Sequence, residues 1–221
     1  MARLHLVRHG ETTSNVMRRL DTALPGAALT DFGVRQGVRF GLENAPEGSA
    51  VLLNSVARRA TQTAEMIGSV WDIEPVTVEG IHEVQVGDLE DRSDDDAHDV
   101  FKKVIDAWHE GDFDVALPGG ESLAMVHERY LPVIDDVVRK YLTGPDQRDV
   151  YVVSHGAAIR LIAAHLAGID PRFAATTHLR NTGEIDLEYT EDGLWVPRRW
   201  GATPAPFSVV NEPLVTDEPM G

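Results

Sequence analysis

The feature that most constrains the fold is a short apolar segment that ends in an Arg-His pair near the start of the chain. Residues 2–7 are apolar enough to form a buried β-strand. Arg8 and His9 then lie at the carboxyl end of that strand, and Gly10 permits a tight turn after them. In open α/β sheets the ligand crevice opens at this end of the strands. The segment therefore predicts an α/β fold with an anion site beside a histidine.

Three further segments place polar side chains at similar positions. Arg59 begins the run Arg-Ala-Thr-Gln-Thr-Ala after a second predicted strand, and Glu83 lies in Ile-His-Glu-Val-Gln-Val-Gly. His155 lies in Ser-His-Gly, directly after the strand-like run 149–153. In this order, and with the opening Arg-His-Gly-Glu-Thr, these motifs resemble those of the histidine phosphatase superfamily, also called phosphoglycerate-mutase-like proteins. The resemblance extends from Arg3 to about Asn181.

Phosphoryl transfer explains why these residue types belong together. A neutral imidazole can attack phosphorus and form a covalent phosphoenzyme, and we assign that role to His9. Arg8 and Arg59 carry planar guanidinium groups that match phosphate oxygens. We expect His155, charged or sharing a proton, to stabilise the transition state. The resemblance also implies that Asn15 hydrogen-bonds the phosphoryl group. Arg8, Asn15, Arg59 and His155 are thus the predicted substrate-binding residues.

The proton donor for the leaving group has more than one candidate. Glu83 precedes Val-Gln-Val-Gly and resembles the acid of the family, so we assign it the role of general acid. In the alternative interpretation Glu83 is a surface carboxylate, and Asp88 or Glu90 donates the proton. The predicted catalytic residues are therefore His9, Glu83, Arg8, Arg59 and His155.

The predicted architecture is a three-layer α/β/α sandwich with a mostly parallel central sheet, an antiparallel edge hairpin and a helical cap insertion. A single domain covers residues 1–200, and the cap covers about residues 87–121, with Trp108 in the core. Thr30 is the predicted N-cap of a helix to about Glu43, whose apolar face comprises Phe32, Val34, Val38 and Leu42. The hairpin lies on either side of Glu-Asp-Gly at 191–193, and residues 201–221 are predicted to be an irregular tail. The contacts of the loop 21–26 are left open.

The composition limits the partners of the protein. The chain of 221 residues has no cysteine and a formal net charge of −16, which disfavours binding to nucleic acid. No run of apolar residues is long enough to span a membrane, and no signal peptide is recognised, so we expect a cytoplasmic protein. The sequence leaves the oligomeric state open, including a homodimer.

The predicted function is a metal-independent phosphatase that hydrolyses phosphomonoesters through a phosphohistidine intermediate. We expect no cofactor and no metal, since the histidines lack the spacing of metal ligands. The substrate is expected to be a small phosphorylated metabolite. The alternative is a phosphoglycerate mutase. Mutases of this family carry Arg-His-Tyr-Gly directly after the acid, whereas Val84-Gln85-Val86-Gly87 follows Glu83 here.

Overall fold

The computed structural model describes residues 2–207, which form one mixed β-sheet with helices on both faces. The strands are β1 (Arg3–Arg8), β2 (Ala50–Ser55), β3 (Val76–Val78), β4 (Asp149–Ser154), β5 (Glu184–Tyr189), β6 (Trp195–Trp200) and β7 (Thr203–Pro204). Their order across the sheet is β3-β2-β4-β1-β5-β6-β7. The first four in this order are parallel, and the last three continue the sheet antiparallel. The parallel part therefore aligns the carboxyl ends of β1, β4 and β2 at one edge.

The helices complete a three-layer arrangement, as the sequence predicted. They are α1 (Thr13–Val16), α2 (Asp31–Glu43), α3 (Arg58–Trp71), α4 (Asp95–His109), α5 (Leu123–Val137), α6 (Gly156–Ala167) and α7 (Pro171–Thr176). Buried side chains of α2 and α3 pack with Val7, Tyr151 and Val153 on one face of the sheet. Those of α4 to α7 pack with Leu4 and Leu6 on the other face. Apolar burial on both faces is what confines the parallel strands to the centre of the molecule.

Helix α2 begins after Thr30 as predicted, but its predicted apolar face is wrong. Phe32 and Leu42 are 50% and 69% exposed. The buried positions are Gly33, Gly37, Phe40 and Gly41. A Cβ atom at Gly41 would lie 2.9 Å from the Val70 Cβ of α3. The contact between the two helices at this position therefore requires glycine, because no larger side chain fits against Val70. This close packing overrides the apolar periodicity.

The segment predicted as a cap contains one long helix, α4, and a 3₁₀ turn (Gly87–Leu89). Trp108 of α4 is buried in the core as predicted, and its indole N–H donates to the Val115 carbonyl oxygen at 2.7 Å. Phe101 of the same helix lines a small cavity together with Leu20 and Glu83. Helix α4 thus packs into the main core and borders the side of the molecule that carries Glu83.

The predicted hairpin is present as β5 and β6. Strand β7 pairs with the end of β6, so residues 203–204 are part of the sheet although segment 201–221 was predicted to be irregular. Phe207 stacks on Phe173 of α7 with ring centroids 4.8 Å apart. The remainder of the predicted tail, residues 208–221, lies outside the described residues. Among residues 2–207, no helix has both the length and the apolar composition to cross a lipid bilayer.

A buried ionic network joins β1, β4 and β5 on the face of the sheet opposite Leu4 and Leu6. His5 stacks on Tyr151 at 4.1 Å, pairs with Glu184 through Nδ1 and lies 3.8 Å from an Asp149 oxygen through Nε2. Burial lowers the pKa of His5, but Asp149 and Glu184 together raise it to about 9 from the usual 6.5. His5 is therefore charged in the folded protein at neutral pH.

This network predicts a loss of stability at alkaline pH. The folded-state pKa of His5 lies above its unfolded value, so its contribution is complete below pH 6.5 and disappears as the pH rises through about 9. Across this range we expect the free energy of unfolding to fall by roughly 3 kcal/mol. Urea unfolding of the natural chain and of His5→Gln at several pH values would measure it. A stability difference between the two chains that does not change with pH would contradict this assignment.

Candidate active site

His9 follows the last residue of β1 and is completely buried. Its Nδ1–H donates to the Gly10 carbonyl oxygen at 2.7 Å, which fixes the tautomer and leaves a lone pair on Nε2. Burial, followed by the charges of Arg59 and Arg8, lowers the pKa of His9 well below its usual value. The imidazole is therefore neutral and can act as a nucleophile through Nε2.

The turn after His9 depends on a glycine. A Cβ atom on Gly10 would lie 2.6 Å from the Gly33 carbonyl oxygen at the start of α2. The Gly10 N–H also donates to Thr63 Oγ1 of α3 at 3.0 Å. Close packing against α2 and a hydrogen bond to α3 thus hold the backbone on which the His9 side chain depends.

His155 lies next to His9 because β4 pairs directly with β1. It is the N-cap residue of α6, and its ring centroid lies 5.3 Å from that of His9. Its Nε2 contacts Ser55 Oγ at 2.9 Å. Burial, followed by Arg59 and His9, lowers the pKa of His155 well below its usual value. In this arrangement a charge on His155 is disfavoured, because a buried imidazolium beside Arg59 would be costly.

Arg59 connects the two histidines. Its Nε–H is shared between His9 Nε2 and His155 Nδ1, each at 3.1 Å, and the side chain is buried. Its Nη1 has no hydrogen-bond partner within residues 2–207 and lies 3.7 Å from Asp21 Oδ2. Burial lowers the pKa of Arg59, an effect that Asp21 and Glu83 partly offset. A buried guanidinium N–H without a partner is costly, so this group is well placed to bind an oxyanion.

The loop 21–26 between α1 and α2, whose contacts the sequence left open, packs against Arg59. Gly26 has a φ of +72°, and a Cβ atom on it would lie 2.5 Å from Arg59 Nη1. Thr22 donates through its N–H and its hydroxyl group to the Glu90 carboxylate. Glu90, one of the alternative proton donors, therefore anchors this loop. Asp88, the other alternative, is exposed to solvent.

Arg8 and Asn15 both form hydrogen bonds with the segment 179–181. Arg8 is buried, and its Nη1 donates to the Leu179 carbonyl oxygen at 2.6 Å. The amide of Asn181 donates to the His9 carbonyl oxygen at 3.1 Å and to Asn15 Oδ1 at 3.3 Å. Asn15 is also the N3 residue of a capping box with Thr12. The structure thus places both predicted residues beside His9.

The helix that follows the turn after His9 is short. Helix α1 has four residues, and Arg18 follows it with a φ of +54°. The Arg19 N–H donates to the Ser14 carbonyl oxygen instead of continuing the helix. The change of direction at Arg18 lets the chain continue into the loop that packs on Arg59.

Glu83 is buried at the amino end of α6, next to His155. Its carboxylate accepts hydrogen bonds from the backbone N–H groups of Val84, Ala158 and Ala157 at 2.8, 2.9 and 3.1 Å. An acidic side chain is favoured at this end of a helix by the partial positive charge of the N–H groups. The interpretation of Glu83 as a surface carboxylate is therefore wrong.

Arg129 of α5 binds the backbone of the segment that carries Glu83. It donates to the carbonyl oxygens of Gly80, His82 and Glu83 at 2.7 to 3.0 Å and forms two hydrogen bonds with Glu121. Sequence reasoning missed Arg129, Ser55 and Thr63. Arg129 has no motif around it, whereas Ser55 and Thr63 lie within a few residues of Arg59. Proximity to a recognised motif was the only signal for those two.

Predicted site residues from β1, α3, α6 and the Glu83 segment converge at the carboxyl edge of the parallel strands. Across residues 2–207, no group of three or more histidine or acidic side chains is arranged to hold a metal ion. The fold and this arrangement define an α/β protein whose candidate site combines a buried, neutral histidine with buried arginines. The chain belongs to the histidine phosphatase superfamily (branch 1), whose family model matches residues 4–203.

Relatives of known sequence or structure span nearly the whole chain. The protein named "Probable phosphoglycerate mutase GpmB" from Yersinia pestis is 27% identical over 203 residues, which is 90% of each chain. The structure of mycobacterial glucosyl-3-phosphoglycerate phosphatase matches with a TM-score of 0.74 and 25% identity, covering 91% of this chain and 99% of the other. The α-ribazole phosphatase of Shigella flexneri matches with a TM-score of 0.69 at 22% identity, over 90% and 96% of the two chains. That last similarity supports the fold alone.

Proposed function

We propose that this enzyme of the histidine phosphatase superfamily hydrolyses small phosphomonoesters through a phosphohistidine on His9, without a metal ion. The observation that carries the proposal is the contact of His9 Nε2 with Arg59, whose Nη1 has no hydrogen-bond partner within residues 2–207. A nucleophile and an unsatisfied cationic donor thus lie side by side in a buried site. A cytoplasmic location, favoured by the absence of cysteine, is part of the proposal.

In the proposed first step, His9 Nε2 attacks phosphorus and the bond to the ester oxygen breaks. Arg8 and Arg59 neutralise the charge on the phosphoryl oxygens, and His155, whose Nδ1 accepts the Arg59 Nε–H, holds that guanidinium in position. The leaving oxygen takes a proton from Glu83 and departs as an alcohol. Water then attacks the phosphohistidine, Glu83 takes up a proton from that water, and orthophosphate leaves with His9 restored.

The second candidate is a phosphoglycerate mutase, which the names of the curated relatives favour. A mutase retains a phosphorylated acid that carries a second negative group, so it needs further cations at the site. No cationic residue follows Glu83 in segment 84–87. Lys102 and Lys103 on α4 are both exposed, and Lys102 pairs with Asp106. No hydrogen bond or ion pair recorded for residues 2–207 joins either lysine to the candidate active site, which supports hydrolysis.

An assay with two substrate types tests this choice. The purified chain is expected to release orthophosphate from p-nitrophenyl phosphate and from a panel of metabolite esters with a chelator present. The panel includes glucosyl-3-phosphoglycerate. Interconversion of 3-phosphoglycerate and 2-phosphoglycerate, stimulated by the bisphosphate, would contradict the proposal. Loss of all activity in the chelator would contradict metal independence.

Glu83→Gln tests the proposed proton donor. We expect it to slow hydrolysis of alkyl phosphates by about 10²-fold or more, but that of p-nitrophenyl phosphate much less, because p-nitrophenolate leaves without a proton. Glutamine retains an oxygen that can accept from the α6 N–H groups, so the helix contact is largely kept. Rates for a series of leaving groups measure the difference.

Glu90→Gln and Asp88→Asn are the matched controls, and neither should change the dependence on the leaving group. If Glu90→Gln produced the selective loss, the proton donor would be reassigned to Glu90. Equal losses for good and poor leaving groups in Glu83→Gln would leave Glu83 with the role of holding α6 in place.

A further inference from the structure

A second cavity lies away from the candidate active site, between the end of α4, the first turns of α5 and the last turns of α6. Its volume is about 220 Å³. His155 caps the amino end of α6, whereas His165, which lines the cavity, lies near the carboxyl end of that helix. At 1.5 Å per residue the two positions are separated by about 15 Å along the helix axis. The cavity is therefore distinct from the site around His9.

The walls of the cavity are mainly apolar and aromatic. They include Trp108, Phe113, Leu123, Leu161 and Ile169. An apolar cavity of about 150 Å³ is large enough to bind benzene. A cavity of about 220 Å³ can therefore hold an aromatic ring with a small substituent. Pockets of this kind, apolar with a few polar groups, are the usual form of small-molecule sites.

Histidines provide the polar part of the lining. The rings of His127 and His165 lie 4.3 Å apart, and Phe113 packs edge-on against His127 at 5.7 Å. Nε2 of His127 is buried and has no hydrogen-bond partner within residues 2–207. Burial and the neighbouring His165 lower the pKa of His127 to about 4. His127 is therefore a neutral imidazole at physiological pH, and its Nε2 is available for a hydrogen bond to a ligand.

The charges around the cavity select the kind of group that this nitrogen can bind. Glu110 is the charged residue among those that line the cavity, and the whole chain has a net charge of −16. An anionic ligand would therefore be repelled, and the neutral imidazole of His127 offers it no countercharge. A hydroxyl group can both donate and accept, so it bonds either tautomer of His127.

We propose that this cavity binds an uncharged aromatic molecule with a hydroxyl group, its ring among Trp108, Phe113 and Leu161 and its hydroxyl on His127 Nε2. The ring would exclude water from the apolar walls. The hydroxyl would satisfy the buried nitrogen that the fold leaves unbonded. The proposal does not depend on the reaction at His9.

Titration of the full chain with phenol, toluene and benzoate tests the proposal. Binding is followed by the imidazole proton resonances of His127 and His165. We expect phenol to bind about fivefold more tightly than toluene, the value of one neutral hydrogen bond, and more tightly than benzoate. Tighter binding of benzoate, or no change in the His127 resonance with any probe, would overturn the proposal.

Two variants distinguish the contribution of the hydrogen bond to phenol affinity from the contribution of the apolar walls. His127→Leu should bring phenol down to the affinity of toluene. His98→Leu is the matched control: His98 lies in the first turn of α4 and contacts the Arg18 carbonyl oxygen, so phenol binding should not change. If removal of residues 208–221 alone shifted the His127 and His165 resonances, the cavity would be occupied by this chain's own segment. That result would also overturn the proposal.

Discussion

Replacing His9 with alanine is expected to reduce hydrolysis of p-nitrophenyl phosphate by on the order of 10⁴-fold. The reason is geometric: the Gly10 carbonyl oxygen binds Nδ1 of His9, so Nε2 is the atom that carries a lone pair into the site. Steady-state rates measure the loss. Brief reaction with a radiolabelled substrate should leave acid-labile label on the natural chain and none on His9→Ala.

His98→Ala provides the matched histidine control, and its rate should equal that of the natural chain. Retention of more than about a tenth of the activity by His9→Ala would mean that another group attacks phosphorus. Acid-labile label on the His9→Ala chain would show the same directly. His155 would then be the residue to test, because its ring lies next to that of His9.

The second large effect concerns Arg59. Arg59→Met should lower kcat/KM by about 10³-fold, because it removes a donor to the phosphoryl group and the contact that holds both imidazoles. It should also shift the acid limb of the pH–rate profile to higher pH. Arg59 lowers the pKa of His9 and of His155, so without it His9 becomes protonated at a less acidic pH.

Arg58→Met is the control for this variant, since Arg58 is the adjacent residue of α3 and is exposed. Its activity and pH profile should match those of the natural chain. A pH profile of Arg59→Met with an unshifted acid limb would contradict the electrostatic role of Arg59. Because Arg59 is buried, urea unfolding of both variants separates a loss of folding from a loss of catalysis.

The positions of His9, Arg59 and His155 could be predicted because each follows a strand that the sequence marks clearly. Parallel strands bring such positions to one edge regardless of the details of packing. The buried face of α2 could not be predicted in this way. It depends on the distance between α2 and α3, which is set by glycines that carry no hydrophobic signal.

The charge of His155 and the role of Arg129 illustrate a second limit. The protonation of His155 depends on its burial and on the shared Arg59 N–H, and both are properties of the assembled site. Arg129 acts through three backbone carbonyl groups, which every residue possesses. No pattern of residue types indicates such contacts before the chain is folded.

The adjacency of β1 and β4 has a consequence for the synthesis of the protein on the ribosome. Strand β1 can pair with β4 only after residues 149–154 have been translated, and Asn181 and Gly183 must also emerge to bind the backbone at Arg8 and His9. The nascent polypeptide carries the proposed nucleophile long before these partners exist. Its candidate site can be assembled only after residues 181–183 have left the ribosome.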